Sequence, residues 1–211
     1  MTRLAMILVS LLFSCSAWCG ELTLLSNQVY NGEVAVLRWQ GEPLSFGVVR
    51  FNDDFFYLYS DPEGAVALLP VSLDFLASEY PLSAALVDLH GRTTTAELML
   101  RVEHKKRPIE HLSLPERMVT PVQKDVERIK READLLNSKY ETKSPRLWSS
   151  FERPVHDPVS SVFGKRRLMN GKPKSPHSGT DFRSPEGTLV HSISNGRVVL
   201  TADLFLSLIH I

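Results

Sequence analysis

The stretch "VAVLRWQGEPLSFGVVRFNDDFFYLYSDPEGAVALLPV", residues 34–71, carries the clearest fold signal in the chain. It contains short runs of aliphatic and aromatic residues at 34–39, 45–51, 55–60 and 65–71. The segments "QGEP", "NDD" and "SDPEG" separate these runs, and they are rich in residues that favour turns. Short apolar runs bounded by turn formers are typical of antiparallel strands. The stretch therefore predicts several consecutive β-strands.

The same pattern extends over residues 20–104. The runs "SAALVDL" and "TTTAELMLRVE" follow at 83–89 and 93–103, and Gly91 between them suits a hairpin turn. About one strand per ten residues predicts an immunoglobulin-like β-sandwich. The histidines of this region, His90 and His104, are isolated, so we interpret it as an accessory domain that acts as a spacer, a binding module or a regulatory module.

Residues 1–19, "MTRLAMILVSLLFSCSAWC", are typical of a signal peptide. A positive residue precedes a short apolar core, and that core is shorter than a membrane span requires. The alternatives are a retained membrane anchor and lipidation at Cys15. We therefore expect an exported protein of the periplasm or cell envelope, with membrane or cell-wall association left open. Both cysteines of the chain lie in this segment, so a metal site elsewhere must use histidine and carboxylate ligands.

The charge balance argues against nucleic acid as a partner. The chain has 24 Lys and Arg residues and 24 Asp and Glu residues, whereas a chain that binds nucleic acid is usually basic. Residues 144–211 are locally basic, with 9 basic and 5 acidic side chains. Three of the basic residues, at 165–167, are adjacent. They form either a solvated turn or a surface that attracts an anionic polymer such as the cell wall.

Residues 105–153 are predicted to form a linker that contains one connecting α-helix at about 121–138. Thr120 suits the N-cap and Pro121 suits the first helical position. Gln123 stands at the third helical position, where it would complete a capping box with Thr120. One apolar stripe recurs at helical spacing, formed by Val122, Val126, Ile129, Ala133 and Leu136. The stripe predicts a helix that docks on a hydrophobic surface, and a coiled coil is the alternative.

The motif "HSGTD" places His177 four residues before Asp181. Two ligands of one zinc ion lie about 2.0–2.2 Å from it, whereas four residues of straight strand cover roughly 13 Å. A shared metal therefore requires a sharp bend, which Gly179 permits. Buried in a β-core, Asp181 would also need a cation or another partner. The flanking sequence predicts strands on both sides of turns at "SPEG" and "SNG".

The segment from residue 154 to about residue 203 resembles the lysostaphin-like, or LytM-type, zinc metallopeptidases. The matches run in order from "SVFGKR" through "HSGTD" and "PEGTLV" to "GRV". The resemblance implies that residues 154–211 are the N-terminal part of an antiparallel β domain of LytM type. It also implies that His177 and Asp181 bind zinc (Zn²⁺). In this family the metal polarises a peptide carbonyl and activates water, and the substrate is the peptide cross-link of peptidoglycan.

The sequence departs from the family pattern in one respect that bears on activity. The family's further zinc ligand lies in a downstream H-x-H motif and its assisting histidine in a Y-x-H motif, and neither motif occurs here. His210 matches neither, His191 is expected to be a strand residue and His156 a turn residue. We therefore expect a truncated catalytic domain, with no catalytic residue of its own and no activity in the 211-residue chain. The alternative is a non-catalytic LytM-like protein that binds peptidoglycan or activates a cell-wall amidase.

Overall fold

A computed structural model describes residues 20–140 and 144–204. The predicted signal peptide and His210 lie outside the described residues. The chain divides into two compact units. Of the described residues, the first unit contains 20–29, 34–70 and 78–102, and the second contains 30–33, 71–77, 103–140 and 144–204.

The first unit contains two sheets, in which most strand pairs run antiparallel. Its strands are β1 Gly20–Leu24, β2 Gln28–Tyr30, β3 Val34–Gly41, β4 Leu44–Phe51, β5 Asp54–Tyr57, β6 Tyr59–Asp61, β7 Gly64–Pro70, β8 Ser78–Asp88 and β9 Thr93–Glu103. One sheet has the order β1-β3-β7-β6 and the other has the order β2-β9-β8-β4-β5. Every strand run predicted between 34 and 103 is present, and the mainly-β class is confirmed.

Alternation along the strands produces the core between these sheets. Leu37 and Trp39 point inward from β3 with at most 2% of their surface exposed, because successive side chains of a strand face opposite sides. Trp39 shares one buried cluster with Ala65 of the same sheet and Leu86 of the other. The two sheets therefore pack face to face as a β-sandwich.

The turn between β8 and β9 is held by a buried carboxylate. Asp88 is 1% exposed, and its Oδ1 accepts the backbone N–H groups of His90 at 2.8 Å and Arg92 at 2.9 Å. Gly91 has φ of 78°, a left-handed value that glycine adopts without strain. The predicted hairpin turn at Gly91 is confirmed.

The second unit contains smaller sheets and the helices. Its elements are β10 Ile109–Leu112, α1 Glu116–Val119, α2 Gln123–Tyr140, β11 Val159–Ser161, β12 Arg166–Met169, β13 Lys172–Lys174 and β14 Asp181–Phe182. One sheet has the order β10-β12-β13, and β11 pairs with β14. Strand β10 lies within the predicted linker. It runs parallel to β12, which differs from the wholly antiparallel arrangement expected here. A parallel pair needs a long crossover, and α2 lies within that connection.

The connecting helix is present, but it starts later than predicted. Thr120 ends α1, and its backbone N–H donates to the carbonyl of Glu116. It is therefore not the N-cap of α2, and the Gln123 side chain donates to Glu127 instead of completing a capping box. No residue described in α2 is buried, and of its predicted docking face Ile129 and Leu136 are half-buried whereas Val126 and Ala133 are exposed. No described helix is long and apolar enough to cross a membrane.

The strands predicted after residue 183 are not formed in the described chain. Residues 183–204 contain no strand in the described structure. Three backbone hydrogen bonds connect this region to the segment before β11, from Glu152 to Ile193, from His191 to Pro154 and from Arg183 to Pro158. A regular strand requires a continuous ladder of such bonds. The apolar alternation of residues 183–204 is therefore present, but no described strand pairs with this segment to form a sheet.

Candidate metal centre

The backbone of His177 is held against the loop that precedes β12. The Gly164 N–H donates to the His177 carbonyl at 2.7 Å, and the His177 N–H donates to the Lys165 carbonyl at 2.9 Å. Gly164 has φ of 80°, which allows the chain to turn here. As a result the imidazole is 5% exposed and has a fixed position inside the second unit.

Asp181 begins β14, where it is the register partner of Ser161 on β11. Its Oδ1 lies 3.1 Å from the Nε2 of His177. The chain bends at Gly179 between the two residues, and a Cβ at Gly179 would lie 3.7 Å from that nitrogen. The bend therefore brings the two predicted ligands together. The Asp181 side chain is 53% exposed, because β14 has only two residues and one partner strand.

The spacing of the pair fits a shared zinc ion. Ligands about 2.0–2.2 Å from a tetrahedral zinc lie roughly 3.3–3.5 Å apart, a few tenths of an ångström more than the observed 3.1 Å. Imidazole nitrogen and carboxylate oxygen are both common zinc donors. Among residues 20–140 and 144–204, however, no group of three or more His, Cys, Asp and Glu side chains could hold a metal.

The other ring nitrogen of His177 faces hydrogen-bond acceptors. Its Nδ1 lies 3.2 Å from the Ser161 hydroxyl and 3.2 Å from the Val162 carbonyl oxygen. Ser161 donates its single hydroxyl hydrogen to Oε1 of Glu110 at 3.0 Å, so it presents a lone pair to the ring. In the tautomer with hydrogen on Nδ1, that hydrogen lies toward both acceptors and the Nε2 lone pair faces Asp181 Oδ1. A cation between Nε2 and Oδ1 would stabilise this arrangement.

Glu110 is the centre of a charged network beside this pair. Its Oε2 accepts from Arg167 Nε at 3.1 Å, and its Oε1 lies 3.3 Å from Lys165 Nζ. Burial alone would raise the pKa of Glu110, but hydrogen bonds from Ser161, Arg167 and Lys165 outweigh burial and lower the pKa below its ordinary value. The carboxylate therefore remains charged. Two of the three adjacent basic residues are thus engaged inside the protein.

Arg167 connects this network to the second candidate ligand. Its terminal nitrogen lies 3.5 Å from Oδ2 of Asp181. Oδ2 of Asp181 is therefore paired with the Arg167 guanidinium, and Oδ1 is the oxygen that faces His177. Sequence reasoning assigned no role to Glu110, because it lies in the predicted linker. The alternation in "IEHL" at 109–112 was the available signal for a strand there.

The other histidines do not join the pair. The other described histidines, His90, His104, His111, His156 and His191, are all exposed. The backbone N–H of His191 donates to Pro154 in a segment without strand structure, so its prediction as a strand residue is wrong. Only His177 and Asp181 of the predicted residues are brought together, and His210 lies outside the described part of the chain.

Comparisons with known proteins add little to this geometry. Neither the protein-family models nor the curated proteins gave a match. Among solved structures, the chain was matched to SGBP-B of the mixed-linkage glucan utilization locus of Bacteroides ovatus, in complex with a mixed-linkage heptasaccharide. The match has 13% identity and a TM-score of 0.24, and it covers 42% of this chain and 24% of that one. A likeness at this level carries no argument about fold or function.

Proposed function

We propose that this chain carries the zinc-binding part of an exported metalloendopeptidase that hydrolyses the peptide cross-links of bacterial peptidoglycan. The observation that supports the proposal is the 3.1 Å approach of His177 Nε2 to Asp181 Oδ1. It occurs within the ordered matches to the LytM-type pattern. The resemblance supplies the substrate class, and the geometry supplies a donor pair with suitable spacing.

The roles of the side chains follow from their contacts. His177 and Asp181 would hold the zinc, which when bound supplies a Lewis acid that polarises a peptide carbonyl and lowers the pKa of water. Ser161 and Val162 present acceptors to Nδ1 of the histidine, so a hydrogen on Nδ1 would leave Nε2 available to bind the metal. Arg167 holds one oxygen of Asp181 and balances its charge.

A second candidate function has its own supporting observation. Catalytic zinc sites use three protein ligands and a water, whereas the described residues bring two donors together. A third ligand would have to come from outside the described residues. Without one, the protein would be a non-catalytic LytM-like protein that binds peptidoglycan or activates a cell-wall amidase.

Zinc binding by the purified chain tests the metal site. We expect one Zn²⁺ per chain in a competition titration with a chromophoric chelator, and loss of that binding in His177→Gln and in Asp181→Asn. His191→Gln is the matched control, because His191 is an exposed histidine of the same unit. Equal zinc binding by wild type and His177→Gln would refute the site.

Two further assays separate the candidate functions. Release of soluble fragments from purified peptidoglycan reports hydrolysis, and co-sedimentation with the insoluble polymer reports binding. We expect the 211-residue chain to bind without hydrolysis. Robust hydrolysis that a chelator abolishes would contradict that expectation and favour the enzyme. Failure to sediment with the polymer would count against both candidates.

A further inference from the structure

Glu110 lies outside the LytM-type motif, yet it contacts the site through three side chains. On β10 it is the register partner of Arg167 on β12. Its two carboxylate oxygens are divided between Ser161 and Lys165 on one side and Arg167 on the other. Its side chain is 18% exposed, so solvent competes little for these bonds. One carboxylate therefore holds three residues, and each of them continues to His177 or Asp181.

The first of these connections determines the protonation of the imidazole ring. Because Glu110 takes the Ser161 hydroxyl hydrogen, the hydroxyl cannot donate to Nδ1 of His177. Nδ1 then faces two acceptors in a buried setting, whereas Nε2 faces one carboxylate that is half exposed and can be hydrated. The tautomer with hydrogen on Nδ1 is favoured. This is the form in which Nε2 can bind a metal.

The remaining connections fix the two ligands in space. Arg167 is anchored by Glu110 at 3.1 Å and reaches Oδ2 of Asp181, so Oδ1 is turned toward His177. Lys165 is paired with Glu110 at 3.3 Å, and its backbone carbonyl accepts the His177 N–H. Glu110 thus acts on the imidazole tautomer, the His177 backbone and the Asp181 carboxylate at once.

We infer that Glu110 is a positioning residue that prepares His177 and Asp181 for metal binding. The part of the inference that concerns metal affinity rests on the proposed function. The part that concerns the His177 tautomer does not, because it can be measured in the metal-free protein. Mutation of residues that hydrogen-bond to metal ligands commonly lowers metal affinity by about 10–100-fold.

The test compares Glu110→Gln with wild type in the full chain. Glutamine has the same shape but one oxygen, so it cannot accept from both Arg167 and the Ser161 hydroxyl while facing Lys165. With the Ser161 hydrogen released toward Nδ1, we expect the neutral His177 of the variant to shift toward the Nε2–H tautomer. Two-bond ¹H–¹⁵N spectra of histidine-labelled, metal-free protein report this change, with His177→Gln to assign the signals. We also expect Zn²⁺ affinity to fall by about 10–100-fold.

Two further variants test the route of the effect. Glu110→Gln combined with Ser161→Ala removes the hydroxyl that would donate to Nδ1, so we expect the Nδ1–H tautomer to return. Glu116→Gln is the matched control, because this carboxylate pairs with Lys172 in the same unit and has no recorded contact with His177. It should leave both the tautomer and zinc affinity unchanged.

The outcomes distinguish this inference from the proposed function. If wild type binds no zinc but Glu110→Gln still shifts the tautomer, the proposed function fails and the positioning role stands. If Glu110→Gln keeps a native amide spectrum and matches Glu116→Gln in tautomer and affinity, the positioning role is refuted. A wild-type chain whose neutral His177 carries its hydrogen on Nε2 overturns the inference without any variant.

Discussion

Replacement of Gly164 by alanine would test how the backbone of the candidate site is supported. Gly164 has φ of 80°, and its N–H donates to the carbonyl of His177. A Cβ at this position would lie 2.5 Å from Arg107 Nε and 2.8 Å from Leu73 Cδ2. The substitution therefore combines backbone strain with a steric clash at a loop that holds a predicted ligand.

The magnitude follows from these two effects. A left-handed conformation costs a residue with a Cβ about 1–2 kcal/mol, and forcing extra atoms into a packed site costs about 1–3 kcal/mol. Arg107 cannot move away freely, because its guanidinium donates to Oδ1 of Asn31 at 2.9 Å and to the Asn31 backbone carbonyl. Gly164→Ala should therefore lower the free energy of unfolding by about 2–5 kcal/mol.

Gly171→Ala is the control that isolates the clash. Gly171 has φ of 76°, and apart from its chain neighbours no atom of the described residues lies within 4 Å of a Cβ built there. It should cost only the backbone strain, about 1–2 kcal/mol. Urea unfolding followed by circular dichroism gives both values, and amide spectra show whether the His177 signals move. Equal destabilisation by the two substitutions, with unchanged His177 signals, would refute the reasoning.

A double-mutant cycle identifies the clashing partner. If Arg107 is that partner, Arg107→Ala should relieve part of the cost of Gly164→Ala. The two substitutions should then be non-additive by about 0.5–3 kcal/mol. The relief should be incomplete, since Leu73 also lies within 3 Å of the added carbon.

Three further predictions concern the stability of each unit. Asp88→Ala should lower the free energy of unfolding, measured by urea unfolding, by about 2–4 kcal/mol, because the backbone N–H groups of His90 and Arg92 lose a buried, charged acceptor. Leu37→Ala should cost about 2–5 kcal/mol, since Leu37 is fully buried, whereas Leu25→Ala at an exposed position should cost under about 0.5 kcal/mol. A hydrogen bond from Lys172 is the main cause that lowers the pKa of Glu116 from 4.5 to about 2. This pair therefore stabilises the protein above pH 4.5, and its contribution is lost as the pH falls toward 2. A carboxyl NMR titration of the Lys172→Gln variant should show a higher pKa for Glu116 than in wild type.

The strands of the first unit were predictable because one face of each is buried. In β3 the inward residues Leu37 and Trp39 alternate with less buried ones, and a shift by one residue would expose the whole apolar set. Gly91 was predictable for a local reason, since its turn needs a left-handed residue. Where the local pattern and the burial of one face agree, the sequence is sufficient to predict the strand or the turn.

The errors occur where a partner element decides the structure. Thr120 is a good N-cap residue, but it is used to end α1 instead. The alternation at 188–200 forms no strand in the described chain, because alternation specifies a face and not the neighbouring strand that must pair with it. The argument that a buried Asp181 would need a cation does not apply, because β14 has two residues and leaves the carboxylate half exposed.

The candidate site shows the same division between local and distant information. The motif at 177–181 specifies the donor types and the bend that brings them within 3.1 Å. It contains nothing that fixes the His177 tautomer or selects one oxygen of Asp181. Those properties depend on Glu110, which is 51 residues before its contact Ser161. A fragment starting at residue 154, where the sequence places the domain boundary, would keep both donors and lose the carboxylate that orients them. The candidate site therefore extends to Glu110 on β10, beyond the limits of the motif.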